Sequence, residues 1–398
     1  YVPQAGNMET ILKREFDYAN PITELKVVGS LSATDLIHLS HYSPIESLDL
    51  EDVHLTTDLT ITCFSGGLKT LKLPKRLKSI PDRCFYPNHF ENITIPEGVT
   101  YIGFAAFEGC TIEHKLVIPR SVKEIGTWAF HKTSIDGGLE IFGDELTIGD
   151  QAFYGSNFNG ELKLHQGIVS IGPSAFGGCK GLTGDLELPF GLRTIGDAAF
   201  ANISCDGKLT IPTGVEIGKR AFSGSKISGH LFIPRNITFG DHLFSECKGL
   251  TSFIFEDEMI SDIGEGTFFQ CSGLSGELSI PKNVTIIKMD TFCECTGLSG
   301  DLIIPDRVTN VEFRAFRDCV FTSLVIGKSV KQISLSLFET PVIYCKTPTP
   351  PDTGVGDDIG GSYRKQLKHI YVPAGSKEAY LAHPDWAVFK QIIEETDF

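Results

Sequence analysis

Eleven cysteines and eleven histidines are the residues of this chain best suited to chemistry, and their spacing decides which chemistry is open to them. Cys179 stands in SIGPSAFGGCKGLTGDLELP (170–189), among glycines and close to an acid, where a thiol could act as a nucleophile, a metal ligand or half of a disulfide. A zinc site calls for cysteines paired at spacings such as C-x2-C. The closest pair here, Cys293 and Cys295, is C-x-C, and its members are expected to point to opposite sides. His38 and His41 could share a helix face and hold a metal, but two surface histidines are the simpler reading. Asp352, Asp357 and Asp358 lie in a Pro- and Gly-rich loop without EF-hand spacing, and read as a solvated loop. H-E-x-x-H, G-x-S-x-G and P-loop motifs are absent, and GVGDDIG (354–360) lacks the G-x-G-x-x-G spacing. No catalytic residue, metal or cofactor is expected.

The bulk properties narrow the partners. With 398 residues, 41% of them apolar, the chain can bury a large core, and its net charge of −15 argues against nucleic acid, which clustered Lys and Arg would have to neutralise. No apolar run approaches the ~18–20 residues of a membrane span. The chain opens on Tyr1 rather than Met, consistent with a signal or lipid-anchor segment having been removed ahead of it.

What must position Cys179 is a repeat. The phrase IGPSAFGGC returns as IGFAAFEGC (102–110), IGTWAFHKT (125–133), IGDQAFYGS (148–156), IGDAAFANI (195–203) and IGKRAFSGS (217–225), then more loosely as FGDHLFSEC, IGEGTFFQC, IKMDTFCEC and VEFRAFRDC. Its phenylalanine falls at Phe85, Phe107, Phe130, Phe153, Phe176, Phe200, Phe222, Phe244, Phe268, Phe292, Phe316 and Phe338, in steps of 22 to 24 residues, and Phe64 stands where the series would begin. Between these phrases lie ITIP, LVIP, LELP, LTIP, LFIP, LSIP and LIIP. A unit of this size cannot bury its own apolar face, so like units must stack and share a core. In each triplet the first and third residues turn inward and the middle one outward, while the proline ends the ladder. The stacked triplets are expected to make one long parallel sheet, and the phenylalanines a buried spine.

Within this frame Cys110, Cys179, Cys247, Cys271, Cys295 and Cys319 all sit three residues after a spine phenylalanine, where other repeats carry Asn88, Thr133, Ser156, Ile203 and Ser225. The position wants a small or medium inward group, and free cysteine behaves as a small hydrophobe; mostly free thiols are expected. Both ends break the period, as an open stack requires. METILKREF (8–16) reads as a short helix, ELKVVG as a strand, SATDLIHLSHY as a capped helical turn and IESLDL as the first repeat-like strand. At the far end VIYC is a strand and HIYVP the last strand. Ser376 and Asp385 are candidate helix N-caps, and Trp386, Phe389 and Ile393 could close the core. The expected domains are an N-terminal cap with the first repeat-like strand (1–60), about 12 repeats (61–340) and a C-terminal cap (341–398).

The IPxxVxxIGxxAFxGCxxLxG repeats, the SLSATD segment before LDL, and the closing IYCKTPTPP…IYVPAGSKEAYLAHPDWAVFKQII resemble the BspA-like leucine-rich repeat proteins over nearly the whole chain. Departures occur at LEIFGDELTIG (139–149), which lacks the proline, at His165, and at the irregular FIFEDEMISDIG. The resemblance implies a leucine-rich-repeat solenoid, right-handed and curved, with a parallel sheet of L-x-L strands, irregular or short helical turns on the other side and small α/β caps. It also implies a secreted or lipid-anchored protein of the outer cell surface, in a family implicated in adhesion to host proteins or other cells. Such a protein carries no catalytic residues and binds a protein or glycan, or serves as a structural envelope protein that self-associates.

The sheet's outer surface is the natural binding face. Its outward residues are Thr94, Val117, Glu140, Lys163, Glu187 and Thr210 in the early coils, then Phe232, Ile254, Ser279, Ile303 and Val325. The early ones are mostly polar. The later ones form an apolar stripe, with His230, Asp301 and Ser323 as a polar margin; it reads as a ligand face with Phe232 as anchor, as the contact of a weak homodimer, or as sheet surface without a binding role, covered by a loop or made apolar by β-propensity alone.

Overall fold

The computed structural model describes residues 5–15, 22–42, 45–56, 64, 67–256, 260–334, 338–353 and 366–398, with no side chains described at 15, 338 and 339. Two units emerge, Tyr1–Gly207 and Lys208–Phe398. In each, short strands that cannot bury an apolar face alone are stacked in parallel on the equivalent strands of the next coil.

Among the described residues, three ladders run through the N-terminal unit, beside a short pair, Gly29–Leu31 with Val53–Leu55. The L-x-L ladder starts with Glu24–Lys26, Ser47–Asp49, Thr70–Lys72 and Asn92–Thr94, and resumes as Leu116–Ile118, Leu139–Ile141 and Leu162–Leu164. The first rung is therefore 24–26, one coil before the expected IESLDL. A second ladder stacks the strands that end in the Ile of Ile-Gly, from Ser79–Ile80 through Tyr101–Ile102, Glu124–Ile125, Leu146–Ile148 and Ile168–Ile171 to Thr194–Ile195. A third comprises His89–Phe90, Thr111–Ile112, Ser134–Asp136, Asn157–Gly160 and Lys180–Leu182. The triplet ladder is broken between Asn92–Thr94 and Leu116–Ile118, so the triplets stack in separate parallel runs rather than in the one long sheet expected of them.

The C-terminal unit is less regular. Ser228–Ile233 pairs with Gly249–Phe255, and a five-stranded run joins Asp301–Ile303, Ser323–Ile326, Val342–Cys345, His369–Pro373 and Ile393–Thr396. The triplet at 278–280 forms no strand; its coil pairs instead through a bridge, Gly276 to Leu298, and through Ile286–Ile287, which stacks on Asn310–Val311. HIYVP is not the last strand, since Ile393–Thr396 adds beside it.

The core is the phenylalanine spine. In the N-terminal unit the rings of Phe107, Phe130, Phe153 and Phe176 follow one another at centroid distances of 4.8, 4.9 and 5.0 Å, within 3° of parallel. Phe64 and Phe85 extend the spine below and Phe200 above. Phe222, Phe244, Phe268, Phe292 and Phe316 are buried in the C-terminal unit, with successive spacings from Phe244 to Phe316 of 5.8, 5.6 and 5.5 Å. The side chain of Phe338 lies outside the described residues.

The backbone around each spine residue alternates between right- and left-handed conformations. Two residues before the phenylalanine, Arg83, Ala105, Trp128, Gln151, Ser174 and Ala198 have φ of +51° to +59°. Two residues after it, Gly109, Lys132, Gly155, Gly178 and Asn202 are also at positive φ. Such a conformation costs a non-glycine residue about 1–3 kcal/mol and persists only where its surroundings over-determine it. Here the alternation aims three N–H groups of each coil at the next: Gln151, Phe153 and Gly155 donate to the carbonyls of Pro173, Ala175 and Gly177 at 2.9, 2.7 and 2.9 Å.

At the N-terminal end, helices α1 (Met8–Glu15) and α2 (Ala33–Ser40) share one carboxylate. Asp35 completes a capping box with Ser32 and accepts from the N–H of Gly6 and Met8 at 2.6 and 2.9 Å. Burial alone would raise its pKa, but the bonds from Gly6, Ser32 and Met8 outweigh it and hold the carboxyl below its ordinary range. At the other end α3 (Lys377–Ala382) follows Ser376, which makes no side-chain cap bond, and a single turn of 3-10 helix spans Ala387–Phe389. Asp385 does not cap a helix there; its carboxylate accepts from the N–H of Thr353. Trp386, Phe389 and Ile393 are buried, Trp386 Nε1 donates to Pro351 O at 2.8 Å, and the Tyr380 hydroxyl donates to Thr347 O at 2.8 Å.

Candidate binding face

The cysteines belong to the frame. Cys179 is fully buried and its thiol donates to the carbonyl of Phe153, the spine residue of the preceding coil, at 3.1 Å. Cys110, Cys247, Cys271, Cys295 and Cys319 make the same bond to Phe85, Phe222, Phe244, Phe268 and Phe292, and Thr133 and Ser156 make it with their hydroxyls. The position therefore selects a small donor as well as a small volume; Ile203 alone among those compared dispenses with the donor. Burial pushes the thiols of Cys110, Cys247 and Cys319 up to about 12, and holds those of Cys179, Cys271 and Cys295 well above the ordinary thiol range. A nucleophile or metal ligand needs the thiolate, and this environment holds the proton on. The ten described cysteines are all buried and unbridged; Cys63 lies outside the described residues.

Nor do the other chemical candidates converge. His38 Nε2 lies 3.5 Å from Glu9 Oε2, and His41 is the C-cap of α2. Asp352 pairs with His383 at 3.3 Å, while Asp357 and Asp358 lie outside the described residues. Among the described residues, no three His, Cys, Asp or Glu side chains gather as metal ligands would.

The outward row of the triplets does form a surface. In the N-terminal unit it is mostly polar, the exposed Val117 apart: Glu140 meets Lys115 and, at 2.7 Å, His165, and the Lys115 ammonium, then His165, hold its carboxyl below the ordinary range. In the C-terminal unit the row turns apolar. Phe232 and Ile254 are register partners on paired strands, 48% and 51% exposed, while their neighbours Leu231 and Ile233 are buried. Ile303, 55% exposed, pairs with Val325, which pairs with Tyr344, which pairs with Tyr371. The stripe is thus two patches, divided at Ser279 where the ladder has no strand.

Its margin is polar and internally bonded. His230 Nδ1 and Ser252 Oγ lie 2.8 Å apart. Asp301 accepts from the hydroxyls of Thr322 and Ser323 at 2.5 and 2.7 Å, bonds that hold its carboxyl below the ordinary range. Satisfied on their own side, these groups leave the apolar row as the surface with most to gain from leaving water.

The row continues beyond Val325 through two tyrosines. Tyr344 and Tyr371 are the middle residues of IYC and IYV, the same triplet pattern continued toward the C-terminus, and their rings stack at 5.1 Å and 16°. His369 stacks beside Tyr371 at 5.9 Å and lies 3.3 Å from Glu394. Tyrosine combines apolar area with a polar tip and is enriched at interfaces.

A family model described as BspA type leucine-rich repeat region, in six copies, matches residues 41–141, 146–275 and 261–349. No curated protein sequence matches the chain. Among solved structures it is similar to a leucine-rich repeat protein from Bacteroides ovatus, at 17% identity over 93% of this chain and 84% of that one, with a TM-score of 0.51. It is also similar to the pneumococcal vaccine antigen PcpA, at 14% identity over 84% and 89% of the two chains, TM-score 0.43. A leucine-rich cell surface protein from Faecalibacterium prausnitzii matches at 17% identity over 64% of this chain and 90% of that one, TM-score 0.29. At such identities the Bacteroides likeness speaks for the fold alone.

Proposed function

The chain belongs to the BspA-type leucine-rich repeat family, and from that premise we propose that it is a non-catalytic recognition protein of the outer cell surface that holds a protein ligand of a host or neighbouring cell on the apolar row of its C-terminal unit. The observation that carries the reading is that row: Phe232 with Ile254, then Ile303, Val325, Tyr344 and Tyr371, outward on register-paired strands with a hydrogen-bonded polar margin. Exposed apolar area of this kind is unusual on a soluble surface that serves no partner, and aromatic side chains in such a row supply the anchors on which interfaces depend. Among the described residues, no helix is long and apolar enough to cross a membrane.

Replacing Phe232 and Ile254 together by Asp, and separately Tyr344 and Tyr371 by Ser, tests it. Each pair is expected to weaken binding to immobilised host matrix proteins at least about tenfold; the Phe232 and Ile254 pair, about half exposed, should leave stability within about 1 kcal/mol, and the Tyr344 and Tyr371 pair, half-buried and stacked on each other, should cost about 1–2 kcal/mol without unfolding the chain. Unchanged binding by both pairs would remove the row from the function. A parent that is dimeric by light scattering, and becomes monomeric in the same variants, would assign the row to self-association instead.

A further inference from the structure

The third ladder of the N-terminal unit carries a groove of about 770 Å3 along strands Thr111–Ile112, Ser134–Asp136 and Asn157–Gly160. In-register pairing sets Thr111, Ser134 and Asn157 in one outward row, and Asp136 and Asn159 in a second, two residues on, beside which Glu113, just past the end of its strand, also lines the groove. The residues between the rows, Ile112, Ile135 and Phe158, are buried. Asn159 Nδ2 donates to Asp136 Oδ1 at 2.7 Å, and His89 Nε2 lies 2.6 Å from Glu113 Oε1. The hydroxyls of Thr111 and Ser134 and the carboxamide of Asn157 have no hydrogen-bond partner among the described residues.

We propose that this groove binds an unbranched, uncharged oligosaccharide laid along the stack of coils. Hydroxyl and carboxamide groups both donate and accept, and carboxylates accept, so the two rows match a ligand whose hydroxyls do both. The carboxylates of Glu113 and Asp136 disfavour a sulfated or phosphorylated chain. With the apolar residues of these strands turned inward, a protein partner finds no anchor here. Successive rungs stand ~4.8 Å apart, close to the length one hexose adds to an extended chain, so consecutive sugars would meet equivalent pairs of polar groups. Sugar hydroxyls can take over the hydrogen bonds of the waters they displace, and an open groove along the stack leaves both ends of a long chain free to run on. The site is separate from the apolar row, and the two stand or fall independently.

The test presents the whole chain to immobilised hexasaccharides of glucose, mannose, galactose and N-acetylglucosamine, with a sulfated hexasaccharide and a polyuronate beside them. Binding to at least one neutral chain is expected, with a loss of about tenfold or more in Ser134→Arg and no change in the Phe232 and Ile254 double variant. Asp136→Ala, at an exposed position, provides the same readout should Ser134→Arg melt early; a loss of about threefold or more is expected. No binding to any neutral chain, preference for the sulfated one, or retained binding in a normally melting Ser134→Arg or Asp136→Ala protein would overturn the proposal.

Discussion

At the scale of single residues, the rung three places after each spine phenylalanine shows how a chemically suggestive side chain can be structural. The spine carbonyl already accepts the N–H that closes its own turn, as Phe153 O does from Ser156 N at 3.1 Å; the next coil's thiol or hydroxyl fills its second lone pair. Cys179→Ser should therefore stay within about 1 kcal/mol of the parent, while Cys179→Ala, which removes the donor and leaves a small void, should cost about 1–2 kcal/mol in urea denaturation. A larger loss for Ser than for Ala would contradict the donor role. Ionisation gives the same residues a pH signature. The folded pKa values of Cys247 and Cys319, about 12, lie above the ordinary value of the unfolded thiol, ~8.5, so the folded state keeps protons the unfolded state sheds. Stability is full below about pH 8.5 and falls toward pH 12, by up to about 1.4 kcal/mol per pH unit for each buried thiol. Urea midpoints at pH 8 and 10 in the parent and in a Cys247→Ser, Cys319→Ser protein would show it, the variant having the shallower decline; equal slopes would count against it. Of this, the sequence revealed the register and the small size of the side chain, because both repeat in letters. The donor role was hidden by reading cysteine as a hydrophobe, although Asn88, Thr133, Ser156 and Ser225 at the same position all carry a donor.

At the scale of the element, the inward and outward sides of the L-x-L strands were legible because a period of two is written directly in residue type. The alternating turn was not. Arg83, Ala105, Trp128, Gln151 and Ser174 share a left-handed backbone but no chemistry that announces it, and the third ladder's strands are too short to show a period. Tyr344 and Tyr371 were within reach, requiring only that the triplet count be carried past Val325. The glycine of Ile-Gly has its own reason, which is proximity: a Cβ on Gly149 would stand 2.8 Å from Ile125 O and 2.9 Å from Gly126 C. Gly149→Ala must push two coils apart and should cost about 1–3 kcal/mol, measurable as a lowered melting temperature. A melting curve like the parent's would mean that the coils give way more easily than this contact suggests.

At the scale of the whole chain, stability is a sum over neighbouring coils, so an exposed end costs more than the residues it removes. Deleting residues 366–398 takes away the strands His369–Pro373 and Ile393–Thr396 and uncovers Val342–Cys345, along with the core that Tyr380 and Trp386 help to close. Aggregation is expected, visible by light scattering, and a monomeric, soluble truncation would argue against a capping role for this segment. Net charge belongs to this scale too. At −15 the chain repels like-charged polymers and draws basic partners, whose association should slow as salt is added.

The one-way hydrogen bonds of the spine turns also bear on how such a chain can change length over generations. Because Gln151, Phe153 and Gly155 give their N–H groups to the following coil, while the carbonyls of Asp150, Ala152 and Tyr154 accept from Trp128, Phe130 and Lys132 of the coil before, each such coil presents the same donors ahead and acceptors behind. A duplication or loss of one whole repeat leaves each donor facing an acceptor, wherever in a regular stretch it falls. An insertion of one or two residues within the turn breaks three such bonds at once and throws the phenylalanine out of line. Gene rearrangement is thus channelled toward steps of one repeat, and drift toward the outward positions, where Lys163, Glu187 and Phe232 already differ freely on an unchanged frame.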